Sequence, residues 1–209
     1  MAEQTTRVDF WFDPSCPWAW MTSRWVDEVS THRDLDVTWH IMSLAILNEN
    51  NDIDDAHRAF FPRTLRYAQL IAAVTELKGQ DFVKPLYDAL GTRIHLGQRT
   101  DVDAIIAESL AEAGLPAELA NEAPDAATGE PFRFESELRA SHSSGIDLVG
   151  QDVGTPILSV DGIAFFGPVI SPAPTGEIAL TLWDGIVAAA SFDGFFELKR
   201  SRTRDPIFS

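Results

Sequence analysis

Strand-forming patterns occur only towards the two ends of this 209-residue chain, and the long stretch between them reads as helix. Residues 7–12 are β-branched and aromatic and run into Asp13-Pro14, which predicts a strand closed by a turn. Pro17 suits a first helical position, and Trp18, Met21, Trp25 and Val29 recur at helical spacing after it. Residues 35–41 alternate as a strand does, so the first segment reads as a βαβ unit with a parallel strand pair. From about residue 53 to 145 the pattern is helical, with Leu65, Ala68, Ile71, Ala72 and Thr75 on one face. Further helices are expected over 81–90, 101–113, 117–123 and 132–143, with a loop at 124–131. Strand signals return at 157–160 and 163–166 around Asp161-Gly162, a strong hairpin turn, and 175–190 reads as a closing helix. The organisation expected is an α/β domain formed by residues 1–50 and 149–209, receiving residues 51–148 as an inserted helical subdomain. The tail carries Phe192, Phe195 and Phe196 and the basic run Lys199-Arg200-Ser201-Arg202, read as a solvated end.

Bulk composition narrows the partners. The chain is 45% hydrophobic and 10% aromatic, enough to build a core, and its net charge of −16 repels nucleic-acid phosphate and anionic lipid. Neither nucleic acid nor a membrane is therefore an expected partner, and a homodimer is left open. The start of the sequence lacks the basic, apolar and small-residue zones of an export signal. A single cysteine excludes an intrachain disulfide framework and a Cys-rich zinc site. A cytoplasmic setting is the expectation, with no bound metal or cofactor.

That one cysteine sits where chemistry is expected. In Asp13-Pro14-Ser15-Cys16-Pro17-Trp18-Ala19-Trp20 the thiol falls between strand and helix, where first-turn amides have no intrahelical partner. Such a position can lower a cysteine pKa from about 8.5 to roughly 3.5–7.5. The thiolate is the nucleophile, so the spacing predicts a reactive Cys16 rather than an inert buried thiol. A second signal is Val153-Gly154-Thr155-Pro156 before the hairpin. Proline entering a strand suggests a special turn, here a cis bond presenting the Thr155 backbone to an extended thiol substrate, against the alternative of ordinary strand entry.

Cys16-Pro17-Trp18 after a strand, a long helical insertion and Thr155-Pro156 before a hairpin resemble the DsbA-like branch of the thioredoxin superfamily. Within it the chain resembles the actinobacterial mycothiol-dependent reductases, also described as nitroreductases. The likeness extends to Thr22-Ser23-Arg24-Trp25, to residues 42–50, to Arg93-Ile94-His95, to Phe165-Phe166-Gly167-Pro168 and to residues 195–200. It is weakest over about 51–80 and 120–135. The resemblance implies a thioredoxin fold with a helical insertion and disulfide exchange with low-molecular-weight thiols. It further implies mycothiol as reducing co-substrate and a side activity on nitroaromatics.

One departure matters. The family pattern is Cys-Pro-Trp-Cys, and Ala19 stands at the resolving position. Cys16 then needs an external thiol to release its mixed disulfide. Ala19 is either a natural monothiol variant or an introduced change, and the two-cysteine character of its surroundings favours the second. Four further positions enter the expected binding set beside Thr155 and Pro156. Pro17 keeps the first-turn donors free, and Trp18 can stack a substrate or shield the sulfur. Asn48 lies near the active site by resemblance, with a turn or cap role as the alternative. His95 can face the thiolate from the insertion, against the commoner fate of a satisfied core or surface histidine; His142 ranks below it. Two competing readings are a glutathione-transferase-kappa or chromene-carboxylate isomerase relative, whose nucleophile position usually carries serine, and a non-catalytic thioredoxin-like module.

Overall fold

The computed structural model describes residues 5–208, so the expectation of no export signal rests partly on residues outside this range. Four strands form one sheet in the order β2-β1-β3-β4: β1 (Thr6–Phe12), β2 (Leu35–Ile41), β3 (Ile157–Val160) and β4 (Ile163–Phe166). β1 pairs parallel with β2, from Thr6 opposite Leu35 to Phe12 opposite Ile41. It pairs antiparallel with β3, which pairs antiparallel with β4. This is the topology of a thioredoxin fold. The β3–β4 hairpin turns at Asp161 and Gly162, both at positive φ, the conformation a tight hairpin demands. Asp161 also accepts a hydrogen bond from the Arg7 amide.

Every residue of β1 from Val8 to Phe12 is buried, because both faces of this central strand are covered. On one face Val8, Phe10 and Phe12 join the main core with Trp20, Met21 and Trp25 of α1 (Pro17–Ser30). On the other, Trp11 packs with Met42, Ile146 and Ile157. Between β2 and β3 the chain forms α2 (Leu44–Leu47), α3 (Asp55–Lys78), α4 (Val83–Gly91), α5 (Val102–Glu112) and α6 (Glu135–Val149). α7 (Gly176–Ala190) follows the hairpin and is tied to α1 by the Trp25 indole N–H donating to Ala179.

Two glycines fit the helices to the sheet layer. A Cβ on Gly91 would lie 2.1 Å from the Trp20 ring, and one on Gly145 would lie 2.6 Å from Trp11. α6 runs on through Gly145 to Val149, beyond the end at 143 that the sequence predicts, and the close approach of Trp11 leaves room only for glycine there. Its start also moves, to Glu135, with Phe132 and Phe134 set outside the helix, edge to face. The segment expected as a helix at 117–123 is a 3-10 turn over Ala117–Glu122. Among the described residues no helix is long and apolar enough to cross a membrane.

Candidate active site

Cys16 is the N-cap of α1, with extended backbone and Pro17 as the first helical residue. Its amide is held by the Asp13 carbonyl at 2.9 Å, and its own carbonyl accepts the first helical bond from Trp20. The sulfur points across the sheet end to the loop before β3, where the thiol donates to the Thr155 carbonyl oxygen at 3.4 Å. Thr155-Pro156 is a cis peptide, and the Thr155 hydroxyl donates to the Trp11 carbonyl at 3.0 Å. The expected juxtaposition of Cys16 with Thr155 and Pro156 is therefore present, though separated by 139 positions in the chain.

The electrostatics run against the sequence expectation. Cys16 is only 4% exposed. Burial pushes its pKa up to about 12; the neighbouring Asp13 charge adds to this, while the first-turn amides of Ala19 and Trp18 and the Arg202 charge pull the other way. A helix end stabilises an anion by roughly 0.3–1 kcal/mol at an exposed site, whereas desolvating an ion costs several kcal/mol. Position at a helix start does not make Cys16 a resting thiolate here: in this conformation it is a neutral thiol. Ionisation needs access to water or an arriving partner.

Asp13, which the sequence offered only as a turn former, is part of this centre. It is 2% exposed and its carboxylate accepts from the Ser15 amide at 2.8 Å, the Ser15 hydroxyl at 2.7 Å and the Leu44 amide at 2.7 Å. Burial still outweighs these bonds and raises its pKa. A buried carboxyl with a raised pKa, three residues before the cysteine, was invisible in a sequence where Asp-Pro reads simply as a turn.

The other predicted residues separate into groups. His95 reaches the site through a π-helical turn, Thr92–Leu96, that follows α4. Its Nε2 faces the Pro14 carbonyl at 2.9 Å rather than the sulfur, and its ring stacks between Trp20 and Phe208, each 5.6 Å away. Burial lowers its pKa to about 4, so it is neutral and donates to Pro14. It braces the turn that carries Cys16. Asn48 is the C-cap of α2, and its amide donates to the Leu44 carbonyl at 2.8 Å. Ala19 is fully buried on the first turn of α1. His142 is buried near α2, where its Nδ1 accepts from the Ser43 amide at 3.3 Å.

Pro17 and Trp18 are half-buried and form one wall of an open groove of about 540 Å³. The opposite wall is the C-terminal segment 202–206; Lys199, Arg200 and Ser201 are exposed, as expected of a solvated end, and Arg202, also exposed, lines the groove. The Arg202 guanidinium lies over the Trp18 ring, 5.1 Å from its centroid. The Ser171 hydroxyl donates to the Asp205 carbonyl and accepts from the Ile207 amide, fixing this strap beside the site. One turn further along α1, the Thr22 hydroxyl donates to the Pro168 carbonyl at 2.7 Å and ties the helix to the loop after β4.

Comparisons with known proteins agree with this fold. A probable DsbA oxidoreductase, SCO1869 from Streptomyces coelicolor, superposes with a TM-score of 0.57 at 17% identity, covering 95% of this chain and 94% of that one. A 2-hydroxychromene-2-carboxylate isomerase gives the same TM-score at 11% identity over 87% of this chain and 94% of its own. The fold is thus shared by oxidoreductases and by the isomerase class weighed above. In sequence the chain is 29% identical to the uncharacterized protein Rv2286c of Mycobacterium tuberculosis, over 95% of this chain and 83% of that protein. The family model described as the mycothiol-dependent nitroreductase Rv2466c matches residues 15–200, from the residue before Cys16 to the basic run of the tail. The chain belongs to this Rv2466c-like family.

Proposed function

We propose that this protein is a cytoplasmic thiol-disulfide oxidoreductase that forms mixed disulfides at Cys16 and is recycled by a low-molecular-weight thiol, mycothiol in the first instance. The observation that carries this reading is the placement of Cys16 Sγ at a helix start, 3.4 Å from the carbonyl of Thr155. Family membership supports both the chemistry and the thiol. In the step proposed, Cys16 loses its proton to solvent or to a nearby acceptor, and the thiolate attacks one sulfur of a disulfide. The Cys16–sulfur bond forms, the original S–S bond breaks and the departing thiolate takes up a proton. A second thiol then attacks the mixed disulfide and releases Cys16 as thiol. Nitroaromatic reduction is part of the same proposal, as a secondary activity with the thiol as electron source.

The test uses intact mass after incubation with mycothiol disulfide. The native chain should gain one thiol equivalent and lose it again on adding free mycothiol. Cys16→Ser should gain none; retained catalytic activity in Cys16→Ser would instead favour the isomerase-like reading. Ala19→Cys should close an internal disulfide, so that the mixed disulfide no longer accumulates. A persistent adduct in that variant would show that position 19 does not resolve it.

A further inference from the structure

The C-terminal segment lies beside Pro17 and Trp18, the two residues after Cys16, although it forms no helix or strand of its own. Three contacts pin it there. The Arg202 guanidinium stacks on Trp18, 5.1 Å from the ring centroid. Phe208 stacks at 5.6 Å on His95, the imidazole that donates to the Pro14 carbonyl in the Cys16 turn. Between these two stacks, the Ser171 hydroxyl donates to the Asp205 carbonyl at 3.0 Å and accepts from the Ile207 amide at 2.8 Å. The family model ends its match at residue 200, so family membership does not account for this strap. The groove it encloses with Pro17 and Trp18 is about 540 Å³. That falls within the range of roughly 300–1,000 Å³ typical of small-molecule sites. A folded protein partner instead needs roughly 800 Å² of contact on each side, and an extended peptide needs ~3.3 Å of open track per residue around its cysteine. With Cys16 only 4% exposed, a polypeptide approaching along Pro17 and Trp18 meets the strap before it meets the sulfur.

We infer that residues 202–208 are a specificity element that admits small disulfides to Cys16 and excludes disulfides carried by polypeptides. This rests on the disulfide-exchange reading above and names its substrate class. A small partner enters the groove with the strap in place. A polypeptide reaches the sulfur only when Arg202 leaves Trp18 and Phe208 leaves His95. The exchange is the step already described, with one half of the small disulfide departing as thiolate.

The experiment compares two uncharged disulfides of different bulk: bis(hydroxyethyl) disulfide and the disulfide-linked dimer of a neutral peptide with a central cysteine. Total adduct on Cys16 is followed by intact mass for the native chain, Arg202→Gln/Phe208→Ala, Ser171→Ala and Leu198→Ala, with urea unfolding to show that each is folded. The readout is the peptide-to-small rate ratio, in which any change in the intrinsic reactivity of the sulfur cancels. The native chain should react more slowly with the peptide disulfide. The ratio should rise roughly five- to thirtyfold in Arg202→Gln/Phe208→Ala, the range for losing one cation–π contact and one aromatic pair. Ser171→Ala keeps both stacks, should raise the ratio by a smaller factor, and carries the test if the double variant does not fold. Leu198→Ala changes an exposed tail residue outside the groove and should leave the ratio unchanged. Equal rates with both disulfides in the native chain, an unchanged ratio in the folded strap variants, or an equal rise in Leu198→Ala overturns the inference while leaving exchange at Cys16 intact. No adduct with bis(hydroxyethyl) disulfide in any chain would overturn the exchange reading itself, and the specificity element with it.

Discussion

The two sides of Cys16 are built on opposite plans. Beneath it, His95, Trp20 and Tyr87 are 5% exposed or less and packed ring against ring, with Trp20 edge-on to Tyr87 and stacked on His95. Above it, the strap at 202–206 has no regular structure, is largely exposed and rests on Trp18 through Arg202. The difference teaches that this site separates two tasks that one environment cannot perform together. A dry, close-packed floor fixes the position of the sulfur but penalises its ionisation. The segment that must give way to a bulky partner sits on the opposite side, where water is present and where moving it costs little packing.

If the floor is rigid because it is dry, its buried histidine should reveal itself through pH. His95 has a folded pKa lowered to about 4 by burial, against about 6.5 in an unfolded chain. The unfolded state therefore binds this proton first as pH falls. The stabilisation is complete above pH ~6.5 and is lost progressively down to about 4, on the order of 3 kcal/mol in total. Urea unfolding across that range should show a steep acid loss in the native chain that is shallower by about this amount in His95→Gln. Parallel curves would mean that the imidazole is solvated and the floor is not dry.

Packing gives the next effect. Gly91→Ala forces a methyl into the Trp20 ring and should destabilise by about 1–3 kcal/mol, read as a lower urea midpoint at constant m-value. A neutral outcome would show that Trp20 has room to move. The smallest effect belongs to the strap. Phe208→Ala removes a half-buried ring from the face of His95 and should change stability by less than about 1 kcal/mol. It should nonetheless speed alkylation of Cys16 by iodoacetamide, because it frees one anchor of the segment beside the sulfur. A large loss of stability with no change in alkylation would place the strap with the floor and dissolve the distinction.

Most of the framework was legible because it is written in local patterns. Alternation in residues 35–41, the Asp161-Gly162 turn and the apolar spacing of Trp18, Met21, Trp25 and Val29 correspond to β2, the β3–β4 hairpin and α1. Thr155-Pro156 was legible as a special turn for the same reason. The protonation state of Cys16 was not, because it depends on desolvation by residues far away in sequence, and helix position is only the weaker of two opposing effects. His95 was found but pointed at the wrong partner: a π-helical turn sets its direction, and no spacing rule announces one. Asp13 was hidden in a dipeptide that signals a turn, and the strap in a polar run without periodicity. The helix expected to end at 143 runs on through Gly145, where Trp11 packs too closely for a Cβ, a contact from β1 that no local pattern announces.

The central claim is that a sulfur held neutral in a packed site still exchanges with a disulfide while the chain remains folded. Incubating the native chain with bis(hydroxyethyl) disulfide near neutral pH, with and without denaturing urea, and mapping adducts by mass tests it directly. The expected result is a thiol-reversible adduct on Cys16 of the folded chain. Modification seen only in urea would contradict it, and would leave Cys16 a core residue of a thioredoxin-like scaffold.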